Sequence, residues 1–325
     1  MRFGTYFFLQ APPGHRHADI IQRELQQMVW SEQLGFDEVW LTEHHFIDYG
    51  LSVDPATLAS AVASRTSRVR IGLAPAILPF HDPIRLAEQL ALADIISGGR
   101  LDVGVGRGNR PSEFTGYRIP QVESRERFDE AVQIIQRAWT EERFAYHGRF
   151  FQIPEVRVIP KPLQRPHPPL YQVCVSPDSI ETTALRGWPM LNSILFGGLE
   201  QVVASRDRYV TTLQKAGRSP AEIASLLDHW GVSRQIYVAP TDAQASPRPR
   251  TPRCGTRSRS ASSSSPSGSR TAIPRCSRRS GPWRTGSRRS PGRGSWPRHW
   301  ASARRRRWAA TSSRCARSAS VRCSA

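Results

Sequence analysis

The chain is 325 residues long, with a formal net charge of +19 and a sequence pI of about 11.1, a balance that at first suggests a nucleic-acid partner. The charge is confined to one end: residues 246–325 hold 21 Arg and no Lys, Asp or Glu, which leaves 25 of the 46 basic residues against all 27 acidic ones in residues 1–245. The first 245 residues are therefore close to neutral, as expected of an ordinary soluble enzyme, and the whole-chain pI excludes nothing about their partners.

Along residues 1–245, strand-like and helix-like stretches alternate. Arg2–Leu9 reads as a buried strand, followed by Gln10-Ala11-Pro12-Pro13-Gly14-His15, which lacks a GxGxxG fingerprint. Asp19–Leu34 places Ile20, Ile21, Leu25, Met28, Val29 and Leu34 near helical spacing, and Gly35 stops it. Glu38–Leu41 is a second strand, Pro55–Ser64 an Ala-rich helix, and Val69–Ala74 a third strand. Pro83–Ile96 is an amphipathic helix closed by Ser97-Gly98-Gly99, and Leu101–Val105 is a fourth strand. Ser124–Trp139 reads as a helix with Ser124 as N-cap. Leu170–Val175, Met190–Phe196 and Arg234–Val238 read as further strands, with helices at Pro177–Arg186 and Glu200–Ala216.

About seven βα units with continuous apolar strands predict a parallel sheet covered by helices. A doubly wound sheet and a (β/α)8 barrel both fit this α/β pattern. The missing GxGxxG favours the (β/α)8 TIM-type barrel, and both folds put chemistry at the C-terminal ends of the strands. Cys174 is alone in residues 1–245, no CxxC or Cys/His zinc spacing occurs, and no metal site is expected. A lone Cys, no signal peptide and no apolar run of membrane-spanning length suggest a cytoplasmic protein.

Each strand end supplies candidates. After Glu38–Leu41 comes Thr42-Glu43-His44-His45. Adjacent side chains leaving a strand diverge, so the two histidines are poorly placed to share an ion, and the bland alternative is one buried and one surface histidine. Ala74-Pro75 is an X-Pro bond, at which cis costs little. Gly104-Val105-Gly106-Arg107-Gly108-Asn109 would let a ligand approach the backbone, with Arg107 free to fork onto a phosphate. Arg125 and the helix start at Ser176-Pro177-Asp178-Ser179 suit the same phosphate; a surface salt bridge is the plain alternative for Arg125.

Taken together, these stretches resemble the bacterial luciferase-like, flavin-dependent monooxygenases. The resemblance runs from Met1 to about Val238. It rests on Thr42-Glu43-His44-His45-Phe46, on Ala74-Pro75-Ala76-Ile77-Leu78-Pro79 with His81-Asp82-Pro83, and on Gly98-Gly99-Arg100. It continues through Val103-Gly104-Val105-Gly106-Arg107-Gly108, Ser124-Arg125 with Phe128-Asp129-Glu130, Pro160-Lys161-Pro162-Leu163-Gln164 and Ala184-Leu185-Arg186-Gly187. It implies reduced FMN as cofactor, supplied by a separate flavin reductase, reacting with O2 through a flavin peroxide to oxygenate a small organic substrate. It further implies His44 as the acid/base. The flavin would be held by Glu43, His45, Ala74, Pro75, Gly106, Arg107, Gly108, Arg125, Val173, Val175, Ser176 and Ser179. Gly106 stands where luciferase proper has a reactive Cys, so light emission is not implied. A homodimer is the family's habit. The deazaflavin (F420)-dependent oxidoreductases share the fold and are the alternative, as is an inactive, truncated flavin-binding fragment.

Residues 246–325 differ in kind. They hold 20 Ser beside the 21 Arg, no Leu, Phe, Tyr, Asn or Met, yet Trp283, Trp296, Trp300, Trp308 and four Cys. Such a composition cannot build a core, and its residues are those of GC-rich codons. A frameshift after about Ala245 is expected, leaving a barrel domain at 1–245, incomplete at its last unit, and an Arg/Ser-rich tail at 246–325. A genuine disordered tail binding nucleic acid nonspecifically is the other reading.

Overall fold

The computed structural model describes residues 1–193, 198–236 and 238–245; the tail at 246–325, and with it the frameshift expectation, lies outside the described residues. The strands are β1 (Gly4–Phe7), β2 (Glu38–Leu41), β3 (Arg70–Ile77), β4 (Leu101–Gly106), β5 (Phe144–His147), β6 (Gln152–Val156), β7 (Leu170–Cys174), β8 (Met190–Ser193) and β9 (Gly231–Ser233). The helices are α1 (His17–Gln33), α2 (Pro55–Ala63), α3 (Pro83–Ser97), α4 (Pro111–Tyr117), α5 (Ser124–Thr140), α6 (Pro177–Arg186), α7 (Leu199–Lys215), α8 (Pro220–Asp228) and α9 (Asp242–Ala245). Seven strands form one parallel sheet in the order β1-β2-β3-β4-β7-β8-β9, curled nearly into a barrel, and β5 and β6 form a separate antiparallel hairpin. The Arg2 guanidinium donates to the Asp228 carbonyl at 3.4 Å, drawing the chain before β1 towards the end of α8.

Local chemistry explains the element ends. Asp54 and Asp82 each accept the backbone N–H three residues on, with Pro at the first helical position of α2 and α3. Gly98 ends α3 in the left-handed region at φ 68°. β4 is buried at all six positions, as a central parallel strand must be. Between β3 and β4 the register slips between Leu73 and Ala76, so the strand bulges at Ala74-Pro75, where proline has no N–H to give the ladder. The main core packs the outer faces of β1–β4 against α1, α2, α3 and α5 through Val39, Leu41, Ile71, Leu73, Val103, Leu86, Leu90 and Ile134. Among the described residues no helix is long and apolar enough to cross a membrane.

Three expectations need correction. Ser124 is the first residue of α5 rather than its N-cap; the cap position is Glu123, without a side-chain cap bond, because a 3-10 turn at Gln121–Glu123 leads straight into the helix. The seventh barrel strand is Gly231–Ser233 rather than Arg234–Val238: hydrogen bonding to β8 selects residues 231–233, and the described part of 234–238 is coil. The Met190–Phe196 strand is seen to Ser193, and residues 194–196 lie outside the described ones.

Candidate functional site

The C-terminal ends of the barrel strands surround a cavity of about 850 Å³, towards the upper end of the roughly 300–1,000 Å³ typical of ligand sites. Of the residues singled out in the sequence, Glu43, His44, Ala74, Pro75, Gly106, Arg107, Gly108, Val173, Val175, Ser176 and Ser179 line it together. They leave β2, β3, β4 and β7 on one side of the sheet, as the strand-end argument requires. Tyr6, Phe8, Tyr49, Asn109, Arg110, Asn192 and, from α7, Gln201, Ser205 and Arg208 complete the wall.

Two predicted residues stand outside the lining. His45 is buried beneath the cavity: its Nε2 meets Glu43 Oε1 at 2.8 Å and its Nδ1 meets the Tyr117 hydroxyl at 2.9 Å. Arg125 is half-exposed and forms an ion pair with Asp178 at the start of α6. There it neutralises an acid beside the helix N-terminus instead of facing the cavity. The two histidines do diverge, since His44 Nδ1 turns to Glu113 Oε1 at 3.0 Å. Among the described residues no group of three or more His, Cys, Asp or Glu is arranged to hold a metal.

Glu113 was not foreseen. It sits in α4, whose sequence PSEFTGY mixes Pro, Gly and Thr and carries little helical signal. Its side chain is fully buried, and Oε1 also accepts the His45 backbone N–H at 3.1 Å. A carboxylate oxygen only accepts, so the His44 proton lies on Nδ1 and Nε2 is left for exchange on the cavity side. Nε2 has no hydrogen-bond partner among the described residues. Phe8 stacks on the His44 ring at 6.1 Å and 12°, and Tyr49 meets it edge-on at 5.3 Å.

Glu43 is a fully buried carboxylate held from three sides. It accepts His45 Nε2, His81 Nε2 at 3.0 Å from both oxygens, and the Ile77 N–H at 2.9 Å. Burial alone would raise its pKa, but the bonds from His45, His81 and Ile77 outweigh this and hold it below the usual carboxylate range. Burial would lower the pKa of His81, and the Glu43 carboxylate outweighs that, leaving it raised. Glu43 thus contributes stability present above its ordinary 4.5 and lost as pH falls through its lowered value. His81 contributes stability present below its ordinary 6.5 and lost as pH rises through its raised value. The pair is fully effective from about pH 4.5 to 6.5. Melting temperature is expected to fall on the alkaline side of that window, and Glu43→Gln is expected to flatten this limb. A Glu43→Gln profile parallel to that of the parent from pH 6 to 9 would refute the linkage.

At the other end, Ser176 and Ser179 form a reciprocal capping box at the start of α6. Their hydroxyls already serve the helix, so an anion there must rely more on Arg107, which has no ion-pair partner among the described residues, than the sequence suggested. At Gly106 an added Cβ would lie 2.8 Å from Pro75 Cγ, so this wall is shaped by contact between β4 and Pro75. The Ala74-Pro75 peptide is cis. Asn192 Nδ2 donates to the Cys174 carbonyl at 3.3 Å, which fixes the amide orientation and leaves the buried Oδ1 in the cavity wall without a partner. An unsatisfied acceptor in the wall and an arginine without an ion-pair partner among the described residues fit a planar ligand with an imide-type N–H and a phosphate, as flavin and deazaflavin cofactors have.

A family model described as luciferase-like monooxygenase matches residues 1–290. Uncharacterized protein y4vJ of Sinorhizobium fredii is 31% identical over 220 residues, 67% of this chain and 62% of its own; the chain thus spans less than two thirds of that relative. The oxygenase component of flavin-dependent trigonelline monooxygenase from Acinetobacter baylyi is 28% identical over 249 residues, 75% of this chain and 67% of the relative. The oxygenating constituent of 3,6-diketocamphane monooxygenase from Pseudomonas putida, solved in complex with FMN, matches at TM-score 0.67 and 21% identity over 75% of this chain and 70% of that one. An F420-dependent secondary alcohol dehydrogenase matches at TM-score 0.59 and 18% identity over 72% and 68%. At these identities the two solved structures show a shared fold.

Proposed function

The chain belongs to the luciferase-like monooxygenase family, and from that membership we propose that it is the oxygenating component of a two-component system. In this reading it takes reduced FMN from a separate reductase and uses O2 to oxygenate a small organic substrate. The observation that carries the reading is one cavity with Arg107 and the α6 start at one end and the Glu113-held His44 at the other. The relative named as an oxygenase component supports the two-component arrangement. Assembly as a homodimer belongs to the same proposal.

Bound in its reduced form, the flavin would supply the two electrons that activate O2. The residues of the chain do the rest. Arg107 anchors the phosphate, aided by the α6 N-terminus, where Arg125 offsets the charge of Asp178. Ala74, Pro75, Gly106, Gly108, Val173 and Val175 give the ring system an apolar bed. Glu43 lines the same bed, locked by His45 and His81. His44, its Nδ1–H held by Glu113, takes up or delivers a proton at Nε2.

Fluorescence titration tests the reading. The protein is expected to bind FMN more tightly than riboflavin, and Arg107→Ala to erase that preference, about 10–100-fold for loss of a charge-assisted anchor. Saturation by coenzyme F420 without FMN binding would instead favour the deazaflavin reading, for which the F420-dependent neighbour's fold is the supporting observation.

A further inference from the structure

Three arginines line the cavity: Arg107, Arg110 and Arg208. Arg208 is paired with Glu181. Arg110 has no carboxylate partner among the described residues, although it is half-buried. Its guanidinium lies 4.6 Å from the centroid of the Tyr49 ring. That ring in turn touches both His44 and Phe8 at 5.3 Å. Arg110 therefore belongs to the His44 end of the cavity. The phosphate end is built on β7 and α6, and β3 and β4 separate β7 from β2 in the sheet. Arg107 follows β4, which pairs with β7; Arg110, three residues on, rests on Tyr49 of the segment between β2 and α2.

A guanidinium resting its face on an aromatic ring keeps its N–H edge free for a planar acceptor, and that edge matches a carboxylate bidentately. Keeping a half-buried cation without a counter-ion is unfavourable. Glu43, the acid in the cavity wall, is already committed to two histidines, and Glu113 behind it to His44 and the His45 N–H, so the charge on Arg110 is left for a ligand. The walls beside it are the rings of Phe8, Tyr49 and Tyr6, which suit a flat, apolar body.

We propose that Arg110, Tyr49 and Phe8 form the substrate's anion subsite, so that the substrate is a small planar organic acid. Its carboxylate sits on Arg110 and its body lies against the rings beside His44. That the ligand is the substrate rests on the monooxygenase reading above; the subsite itself does not.

Calorimetric titration of the full chain with benzoate and with benzamide, with and without bound FMN, tests this. Benzoate is expected to bind at least about tenfold more tightly than its uncharged isostere, the scale of a charge-assisted hydrogen-bonded pair. Arg110→Gln should abolish the preference, and Arg110→Lys should retain part of it. In Arg110→Gln the FMN-over-riboflavin preference should persist, whereas Arg107→Ala loses it. Equal binding of benzoate and benzamide, or binding of neither, would overturn the proposal. So would an Arg110→Gln variant that loses discrimination between FMN and riboflavin, since Arg110 would then serve the phosphate. Loss of the monooxygenase reading shows separately, as a parent protein that binds no FMN whatever it does with benzoate.

Discussion

His44→Ala is expected to lower turnover by about 10²–10⁴-fold, the range for removing a positioned acid or base, while leaving FMN affinity nearly unchanged. The asymmetry follows from the geometry. Nδ1 is committed to Glu113 Oε1 at 3.0 Å, and Phe8 and Tyr49 hold the ring in place, so Nε2 is presented to the cavity in one tautomer and one orientation. No neighbour stands ready to take over. Glu43 is engaged by His45, His81 and the Ile77 N–H, and His45 lies beneath the wall with both ring nitrogens bonded. Steady-state turnover with reduced FMN, set beside flavin titration of the same preparation, makes the comparison. Equal losses in both would reduce His44 to a structural residue.

Gly104→Ala is expected to destabilise the protein by about 3 kcal/mol or more, at or above the upper end of ordinary overpacking, and to show as a large drop in the urea midpoint or as insoluble protein. Gly104 lies in the middle of β4, and a Cβ there would run into the Leu73 carbonyl oxygen, well inside van der Waals contact. A carbonyl fixed in a central strand cannot rotate away as a side chain could. The Leu191 methyl group at 3.0 Å closes the other direction. A variant as stable as the parent would mean that β3 and β4 are not packed as described.

Much of the barrel is readable in the sequence because its signals are local. Continuous apolar runs mark β2, β3 and β4; Asp82 before Pro83, and Gly98 after Ser97, mark both ends of α3. Glu43, His44, Pro75, Gly106 and Arg107 could be found because each directly follows or ends such a run. Residues that act across the fold were not legible. Glu113 and Tyr117 reach His44 and His45 from 69 and 72 residues away, carried by a helix with little intrinsic propensity. Asn192 matters through an oxygen that nothing local satisfies. Some stretches that carry the family resemblance turn out to brace the scaffold. Arg100 donates to the carbonyls of Ala63, Thr66, Val69 and Ser97, and Gln164 bonds Asp94 and the Leu101 carbonyl. Pattern alone does not separate such braces from ligand contacts, because both require a particular polar residue beside a strand or helix end.

The wall next to His44 carries two phenols, Tyr6 and Tyr49. Tyr6 donates its hydroxyl to the Ala74 carbonyl at 2.6 Å, and burial pushes its pKa upward, with Tyr49 adding to the rise. A phenol is neutral at physiological pH in any case; the upward shift extends that neutrality into alkaline solution. A neutral phenol surrenders an electron much less readily than a phenolate does, so its burial keeps Tyr6 redox-hard even in alkaline solution. On the monooxygenase reading, an oxidant formed there is denied an easy electron from Tyr6 and is left for the bound substrate.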